Sequence, residues 1–450
     1  MVARTPPEAT AHNKARREPR TQQVESTLAK AHRSEWALVV AATVRATGDL
    51  DLAEECVQEA YAGALTAWAR DGVPANPAAW LMTAARRRAV DAIRRERTLR
   101  AKLPLLVEPA EPEPVEQAVL DRTHDEGAHL LEATEGSLMQ EVADDRLRLV
   151  FLCCHPALAP EGQVALTLRL VCGVTTRDIA RAFLVPEATM AARITRAKKK
   201  IAGSRIPFRM PSDAELPDRL DSTLTTVYVA FTAGHTAPNG TDLVRSDLVE
   251  SAIRLGRALH ELLPDEPEVG GLLALMLVTE ARRNARVSEA GRLLTLGEQD
   301  RSRWNRDLIA ESDVLIRESL RRARGHPGRF VLQASIAALY SEPERLADSD
   351  WPQILYLYDR LLDVWPSPIV ALNRLVPLSY VAGPALALAH LNEVARDPRL
   401  DTYPYLPAVK ADLLSRLNRH EDAAEQYRLA RRLTGNRVEQ EFLDDRIARL

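Results

Sequence analysis

The sequence predicts an all-α protein, and three observations lead to that fold class. Alanine, leucine and arginine dominate the 450 residues, whereas glycine contributes only 19 residues and the aromatic side chains 5%. This composition favours helices throughout. Apolar residues recur at helical spacing, and breaks rich in proline or glycine separate the helical stretches. A chain of this length is too long for one core and predicts two to four domains.

The charge pattern predicts two contacts with a polyanion. The formal net charge is only −3, but residues 81–102 carry a net +6 and residues 187–209 also a net +6. Residues 103–145, which separate them, carry a net −11. Two basic patches joined by an acidic connector are typical of a protein that grips a polyanion at two places.

The first helical region is predicted over residues 24–102, after a disordered tail over residues 1–23. The break "DGVPANP" at 71–77 divides it. Before the break, the helix "DLDLAEECVQEAYAGALTAW" has an acidic side, which is either solvated or docks on a basic protein partner. This side carries Asp51, Glu54, Glu55 and Gln58.

After that break, "PANPAAWLMTAARRRAVDAIRRER" predicts a basic amphipathic helix. Leu81, Ala85, Ala89 and Ile93 form its inward stripe, and arginines occupy the opposite face. A basic helix that begins with Trp80 suits single-stranded nucleic acid, because cations follow the backbone and an aromatic ring can receive a base. A merely solvated arginine-rich surface is the alternative.

Residues 103–140 contain four prolines before position 115 and dense acid, which predicts a mostly extended linker. Residues 141–206 are predicted to be helical again and to contain a helix-turn-helix, "TTRDIARAFLVPEATMAARITRAKKK". Its first helix would start at Thr175 or Thr176 and its second near Pro186. Leu184 occupies the turn position where such motifs usually have glycine. The alternative is an amphipathic helix that ends in a solvated lysine cluster.

The remaining chain is predicted to be helical, with an extension over 211–330 and tetratricopeptide-like repeats over 331–450. Small and large apolar residues recur at the same offsets after 36 residues, close to the period of such repeats. Ordinary helix pairs with accidental spacing are the alternative. The two sets are Leu375, Leu378, Ala387, Leu391, Val394 and Ala411, Leu414, Ala423, Tyr427, Ala430.

The motif "FLCCHPAL" at 151–158 raises the question of a metal site. On a helix, Cys153, Cys154 and His155 point about 100° apart in turn and cannot converge on one ion. Cys172 is the only nearby addition, so we expect core packing rather than metal binding, redox sensing or catalysis. No motif predicts an enzyme or a cofactor. The longest apolar run, 269–278, is too short to span a membrane, and we expect a cytoplasmic protein.

Taken in order, these segments resemble sigma factors of bacterial RNA polymerase, specifically the extracytoplasmic-function group. "DLAEECVQE" is similar to region 2.2, "PAAWL" and "DAIRR" to regions 2.3 and 2.4, and "TRDIARAFLVPEATMAARITRAKKKI" to region 4.2. Farther on, "DEPEVGGLLALMLVTEARRNAR", "EQDRSRWNRDLI" and "SPIVALNRLVPL" resemble the large tetratricopeptide-like extension of one branch of that group.

The resemblance implies core RNA polymerase, through its β′ clamp and β flap, and promoter DNA as partners. The acidic linker would thread toward the RNA exit path. The extension would regulate in cis or bind a protein or peptide partner. The implied polymerase contacts are Asp51, Glu54, Glu55 and Gln58. The implied −10 contacts are Asn76, Trp80, Arg86, Arg87, Arg94 and Arg95. The implied −35 contacts are Arg177, Thr189, Arg193, Arg196, Lys198, Lys199 and Lys200.

Two other functions fit parts of the sequence. A helix-turn-helix regulator with a tetratricopeptide-like sensor would bind DNA without acting as a sigma subunit, although it would not need the N-terminal basic helix. An enzyme built on a repeat scaffold is the third reading.

Overall fold

The computed structural model describes residues 8–102, 145–183, 185–235, 239–240, 246–289 and 291–450. This described chain is all-α, which confirms the predicted class. Its β structure is limited to an isolated bridge and a parallel pairing of β1 (Asn239–Gly240) with β2 (Gly435–Asn436). The chain divides into unit 1, Met1–Ala180 with Val185–Thr226, and unit 2, Arg181–Leu184 with Val227–Leu450. The predicted acidic linker, 103–140, lies outside the described residues.

Unit 1 contains two groups of helices. The first group packs around buried alanine, valine and leucine side chains, among them Val40, Val57 and Leu81. In the second group, the helices that begin at Pro160 and Glu187 pack on each other. The helices are α1 (Glu8–Thr47), α2 (Leu50–Asp71), α3 (Pro77–Lys102), α4 (145–153), α5 (Pro160–Leu170), α6 (Thr176–Ala182) and α7 (Glu187–Gly203).

Helix α1 begins inside the segment that the sequence predicted as a disordered tail. We predicted such a tail over 1–23, whereas the structure places residues 8–23 in the helix. The first half of α1 is rich in alanine, glutamate, lysine and arginine, which favour helix without any apolar stripe. The low apolar content therefore suggested disorder where helix propensity prevails.

Side-chain caps fix where the helices of unit 1 begin. The Asp49 carboxylate accepts hydrogen bonds from the backbone N–H groups of Asp51 and Leu52, at 2.7 and 2.9 Å. Asn76 accepts from Ala79 N at 3.1 Å, directly before α3. Thr175 Oγ1 accepts from Asp178 N at 3.1 Å and thereby caps α6. Such caps satisfy backbone donors that the first helical turn leaves unpaired.

The next helix, α8 (Leu216–His235), contains the boundary between the two units. Its first half packs within unit 1, where Ser222 Oγ donates to the Cys154 carbonyl at 2.9 Å. Thr226 Oγ1 lies 3.3 Å from Gln163 Oε1. Unit 1 therefore reaches sixteen residues beyond position 210, past the predicted start of the extension at 211.

Helix α10 is buried on every face at the centre of the first part of unit 2. It packs against α9, α11 and α12. Gly271 permits the close approach of α12, because a Cβ there would lie 2.6 Å from Val331 N. The Glu268 carboxylate accepts from the backbone nitrogens of Phe330 and Val331 at 2.8 and 3.2 Å. These helices are α9 (Ser246–Leu262), α10 (Pro267–Glu280), α11 (Arg306–Arg322) and α12 (Arg329–Ser341).

The rest of unit 2 is a succession of helices in which each packs on the next. The residues singled out for the repeat are buried, except that Val394 is half-buried. A tetratricopeptide-like array remains a prediction. The helices are α13 (Trp351–Val364), α14 (Pro368–Val381), α15 (Pro384–Val394), α16 (Tyr405–Arg416), α17 (His420–Leu433) and α18 (Arg437–Ala448). In the described part of the chain, no helix is both long and apolar enough to cross a membrane.

Candidate polymerase and promoter interface

Helix α2 presents the acidic side chains that the sequence assigned to polymerase. Asp51, Glu55 and Gln58 are exposed, whereas Glu54 is buried. Gln58 Nε2 donates to Glu54 Oε1 at 2.9 Å. The opposite side of α2 buries Ala53, Val57 and other small apolar residues against α1 and α3. The acidic face is therefore held rigidly on a packed helix.

Two cations from the second helical group of unit 1 occupy this acidic face. Lys198 Nζ donates to Asp51 Oδ1 at 2.7 Å and to Glu54 Oε2 at 2.6 Å. A guanidinium nitrogen of Arg169 lies 2.5 Å from Glu54 Oε1. The Lys198 side chain is only 8% exposed. Burial lowers the pKa of Lys198, but its hydrogen bonds to Asp51 and Glu54 outweigh burial, so the pKa lies above its ordinary value.

Packing surrounds these ion pairs. The Trp36 indole N–H in α1 donates to the Leu170 carbonyl at the end of α5, at 3.1 Å. Gly173 has a φ of +69°, and a Cβ there would lie 2.7 Å from Cε1 of His32. Only glycine fits such a backbone conformation and such a close approach. The ion pairs are therefore accompanied by close packing of α1 on the end of α5 and the turn that follows it.

The predicted −10 residues lie at the start and along the outer side of α3. Asn76 is exposed and caps the helix, while Trp80 is half-buried with its ring edge-on to Trp68, centroids 5.6 Å apart. Three of the four predicted arginines are exposed and one is half-buried. The exposed ones are Arg87, Arg94 and Arg95, and the half-buried one is Arg86.

Arg88, which the sequence analysis did not single out, pairs with the acidic helix. Its Nε lies 3.1 Å from Glu59 Oε2 on α2. A Cβ on Gly63 would meet the Arg88 guanidinium at 2.8 Å, so the arginine lies directly against the glycine backbone. Spacing alone gave no signal, because Arg86, Arg87 and Arg88 are identical neighbours. Arg88 therefore holds α3 on α2, and its neighbours face outward or are half-buried.

The predicted −35 residues lie on α6 and α7 and divide into two sets. Arg193 is half-buried, and Lys198 is turned into the contact with α2. The remaining five point to solvent and are Arg177, Thr189, Arg196, Lys199 and Lys200. Met190 and Ile194 are buried, and α7 begins directly after Pro186. The turn residue Leu184 lies outside the described residues.

The cysteine pair belongs to the core of the second helical group. Cys153 and Cys154 are fully buried, and Cys154 Sγ lies 3.2 Å from Thr167 Oγ1. Burial raises the pKa of both thiols, most strongly that of Cys153. Cys172 is half-buried. The predicted core packing of Cys153 and Cys154 is confirmed. Among the described residues, no three potential ligands are placed to hold a metal ion.

Comparison with known proteins agrees with this arrangement of two helical groups. Residues 33–98 match the family model Sigma-70 region 2, and residues 148–201 match Sigma-70, region 4. The chain belongs to the sigma-70 family of sigma factors. Residues 219–320 of this sigma factor match a Family of unknown function, DUF6596. It is therefore an extracytoplasmic-function-like sigma factor with a C-terminal extension, as the resemblance implied, and the matched sigma regions are transcription-initiation modules rather than an enzyme family.

One relative covers nearly the whole sigma factor. An uncharacterised protein of Rhizobium meliloti (strain 1021) is 39% identical over 402 residues, which are 89% of this chain and 90% of the relative. The similarity therefore includes the extension as well as the two sigma regions. No solved structure matches the chain.

Proposed function

We propose that this chain is a dissociable sigma subunit that binds core RNA polymerase and directs initiation at specific promoters. The observation that carries the proposal is the pair of sigma-region matches, in order, on two helical groups that each expose basic side chains. A subunit of this kind acts in the cytoplasm, together with the polymerase.

The acidic face of α2 would dock on the β′ clamp. The second helical group of unit 1, which contains the region 4 match at 148–201 and is called the region 4 group below, would bind the β flap. Glu55 and Gln58 are exposed and ready for such a contact, whereas Asp51 and Glu54 would become available once Lys198 leaves. The exposed arginines of α3, together with Asn76, Arg86 and Trp80, would hold the −10 strand. Cations along a backbone and an aromatic ring for a base suit single-stranded DNA.

Helix α7 would read the −35 element in the major groove. Thr189, Arg193 and Arg196 lie along its length, and arginine pairs well with guanine edges. Lys199 and Lys200 would hold phosphates at the helix end, as would Arg177 from α6. Lys198 would join them only after it leaves Asp51 and Glu54.

The extension would control this sigma activity in cis or bind a protein partner through its helical repeats. It is larger than the DNA-reading portion, and solenoid arrays offer long surfaces for partners. A truncation after residue 235, which keeps α8 and its bonds to Cys154 and Gln163, tests this. Altered promoter activity of the truncated protein supports the proposal, and unchanged activity opposes it.

Reconstitution with sigma-free core polymerase tests the sigma function. The purified full chain should co-purify with the core enzyme, and the mixture should produce transcripts with defined start sites on promoter templates. Protein without core polymerase should bind duplex promoter DNA weakly. DNA binding without promoter-dependent transcripts would favour the helix-turn-helix regulator instead.

A further inference from the structure

Four arginines of unit 2 lie in two segments, and two of the four flank one buried indole. Arg282, Arg283 and Arg286 belong to the turn after α10, and Arg301 belongs to the short 3-10 helix Arg301–Arg303. The guanidinium carbon of Arg301 lies 4.5 Å from the Trp304 ring centroid, and that of Arg282 lies 6.0 Å from it. Trp304 is 3% exposed. The two segments thus bring their cations to one buried ring.

These arginines have more N–H donors than the surrounding residues supply acceptors. Arg283 pairs with Glu280, Arg286 Nη1 donates to the His235 carbonyl at 2.9 Å, and Arg301 Nη1 donates to the Tyr340 carbonyl at 3.1 Å. Within this cluster, four buried donors have no hydrogen-bond partner among the described residues. They are Arg282 Nε, Arg283 Nε, Arg301 Nη2 and Trp304 Nε1. The unpartnered acceptors nearby are Glu280 Oε2, His235 Nδ1 and Gln299 Oε1.

The electrostatics of neighbouring groups agree with an excess of positive charge. Burial, together with Arg286 and Arg301, lowers the pKa of Arg282 to about 10. The pKa of His235 is lowered to about 3 by burial and by the nearby cations Arg286, Arg282 and Arg283. A buried cation without a counter-charge is costly, and so is a buried donor without an acceptor. An anion that receives these N–H groups would relieve both costs.

We propose that this cluster binds a small oxyanion, namely the phosphate group of a small molecule. Guanidinium groups present paired N–H donors whose spacing matches two phosphate oxygens. The indole N–H supplies a further donor, and the low exposure of Trp304 strengthens each interaction by excluding water. This site is distinct from the sigma regions, so the proposal does not depend on promoter recognition.

Calorimetric titration and thermal unfolding of the full chain with inorganic phosphate test the site. At constant ionic strength, phosphate should bind and should raise the unfolding midpoint in proportion to the logarithm of its concentration, whereas chloride should not. Pyrophosphate and sulfate titrations distinguish recognition of phosphate from that of any divalent oxyanion.

Matched variants decide whether the cluster is responsible. Arg282→Lys and Arg301→Lys keep the charge but lose the guanidinium fork, and each should weaken phosphate binding at least about tenfold. Arg303→Gln removes an exposed arginine of the same 3-10 helix and should leave binding unchanged. No phosphate binding by the folded wild-type protein, or equal binding by all variants, would overturn the proposal and leave water as the occupant.

A separate observation concerns the contact between α2 and α7. We infer that Lys198 and Arg169 hold the polymerase-docking face of α2 closed in the free protein, an inference that rests on the proposed sigma function. Asp51 and Glu54 cannot accept from these cations and dock on polymerase at the same time. Polymerase and the region 4 group therefore compete for the same carboxylates.

The affinity of the full chain for core polymerase, measured without DNA, tests this competition. Lys198→Met and Arg169→Met should each tighten binding about tenfold, because a larger fraction of the protein is then open. Arg205→Met removes an exposed cation just after α7 and should change nothing. If the wild-type chain does not bind polymerase, the sigma function fails. If the wild-type chain binds polymerase and neither variant binds more tightly than the wild type, the competition alone fails.

Discussion

The two units bury cations in opposite ways. In unit 1, Lys198 meets two carboxylates within 2.7 Å, and Arg169 meets one of them. In unit 2, Arg282 and Arg301 lie beside an indole ring, and Arg301 also donates to a backbone carbonyl. In the described chain, no carboxylate lies within ion-pair distance of either arginine. Paired cations make a closed contact, whereas unpaired ones make a site that is ready for an anion from outside. Basic side chains therefore close a contact in unit 1 and form the proposed anion site in unit 2.

Removal of the shared carboxylate in unit 1 should have the largest effect on stability. Glu54→Ala leaves Arg169 with no ion-pair partner and Lys198 with only the exposed Asp51. We expect the free energy of unfolding to fall by about 3 kcal/mol, because breaking a buried pair strands the other charge. Urea unfolding measures this. Glu55→Ala, on the exposed side of α2, is the control, and an equal effect of both would contradict the pairing.

Acid should reveal the positive environment in unit 2. The His235 ring stacks on Phe231, and its Nδ1 lies 4.0 Å from Glu280 Oε2. The positive charges of Arg282, Arg283 and Arg286 repel a proton on this ring. Its folded pKa of about 3 is below the unfolded value, so its contribution is fully present above about pH 6.5 and is lost as the pH falls toward 3. Between pH 6.5 and 5 we expect a loss of about 2 kcal/mol.

The variant His235→Gln isolates this titration. Its free energy of unfolding should depend less on pH over the same window than that of the wild type. Bound phosphate should also reduce the dependence, since it offsets the arginines. Parallel pH profiles for wild type and variant would show that His235 is not the responsible group.

The next substitution contrasts the two units directly. Arg282→Met in phosphate-free buffer should change the free energy of unfolding by no more than about 1 kcal/mol and should tend to stabilise, because it removes a buried charge with no counter-ion. Lys198→Met should instead destabilise, because it leaves Asp51 and Glu54 together. The same unfolding assay compares them, and a loss of stability in both would remove the distinction between the units.

The smallest effect is expected at an exposed pair of good geometry. Arg70 Nε lies 2.8 Å from Asp71 Oδ1, yet both side chains are largely exposed. Water and salt screen such a pair, so Arg70→Gln should not measurably move the unfolding midpoint. A shift as large as that of Glu54→Ala would show that burial is not what distinguishes these ion pairs.

Local signals predicted the helices well, but Glu54 and Lys198, which were expected on outward faces, are buried. Thr175 before α6 and Pro186 before α7 mark helix starts that the structure confirms. Capping and helical periodicity act within a few residues, so one sequence suffices to read them. The same locality explains why the part of α1 before residue 24 was missed, because helix propensity without an apolar stripe resembles a disordered tail.

Long-range pairings could not be predicted. Lys198 and Asp51 are 147 residues apart, and each alone resembles an ordinary solvated charge. Arg169, a single arginine in an apolar helix, gave no signal. In the extension, "EARRNAR" gives no local signal of a site, since nothing in it shows that Arg301 lies beside the same tryptophan, Trp304. Such sites exist only once the tertiary fold brings distant segments together.

The separation of α1 and α7 in the free and polymerase-bound protein shows whether Lys198 and Arg169 close the docking face of α2 until polymerase binds. Fluorophores would be attached through Ser34→Cys and Thr195→Cys, both at exposed positions, with Cys172→Ala to remove the half-buried thiol. The account predicts high energy transfer in the free protein and a clear loss on addition of core polymerase. Unchanged transfer in a complex that demonstrably forms would contradict it.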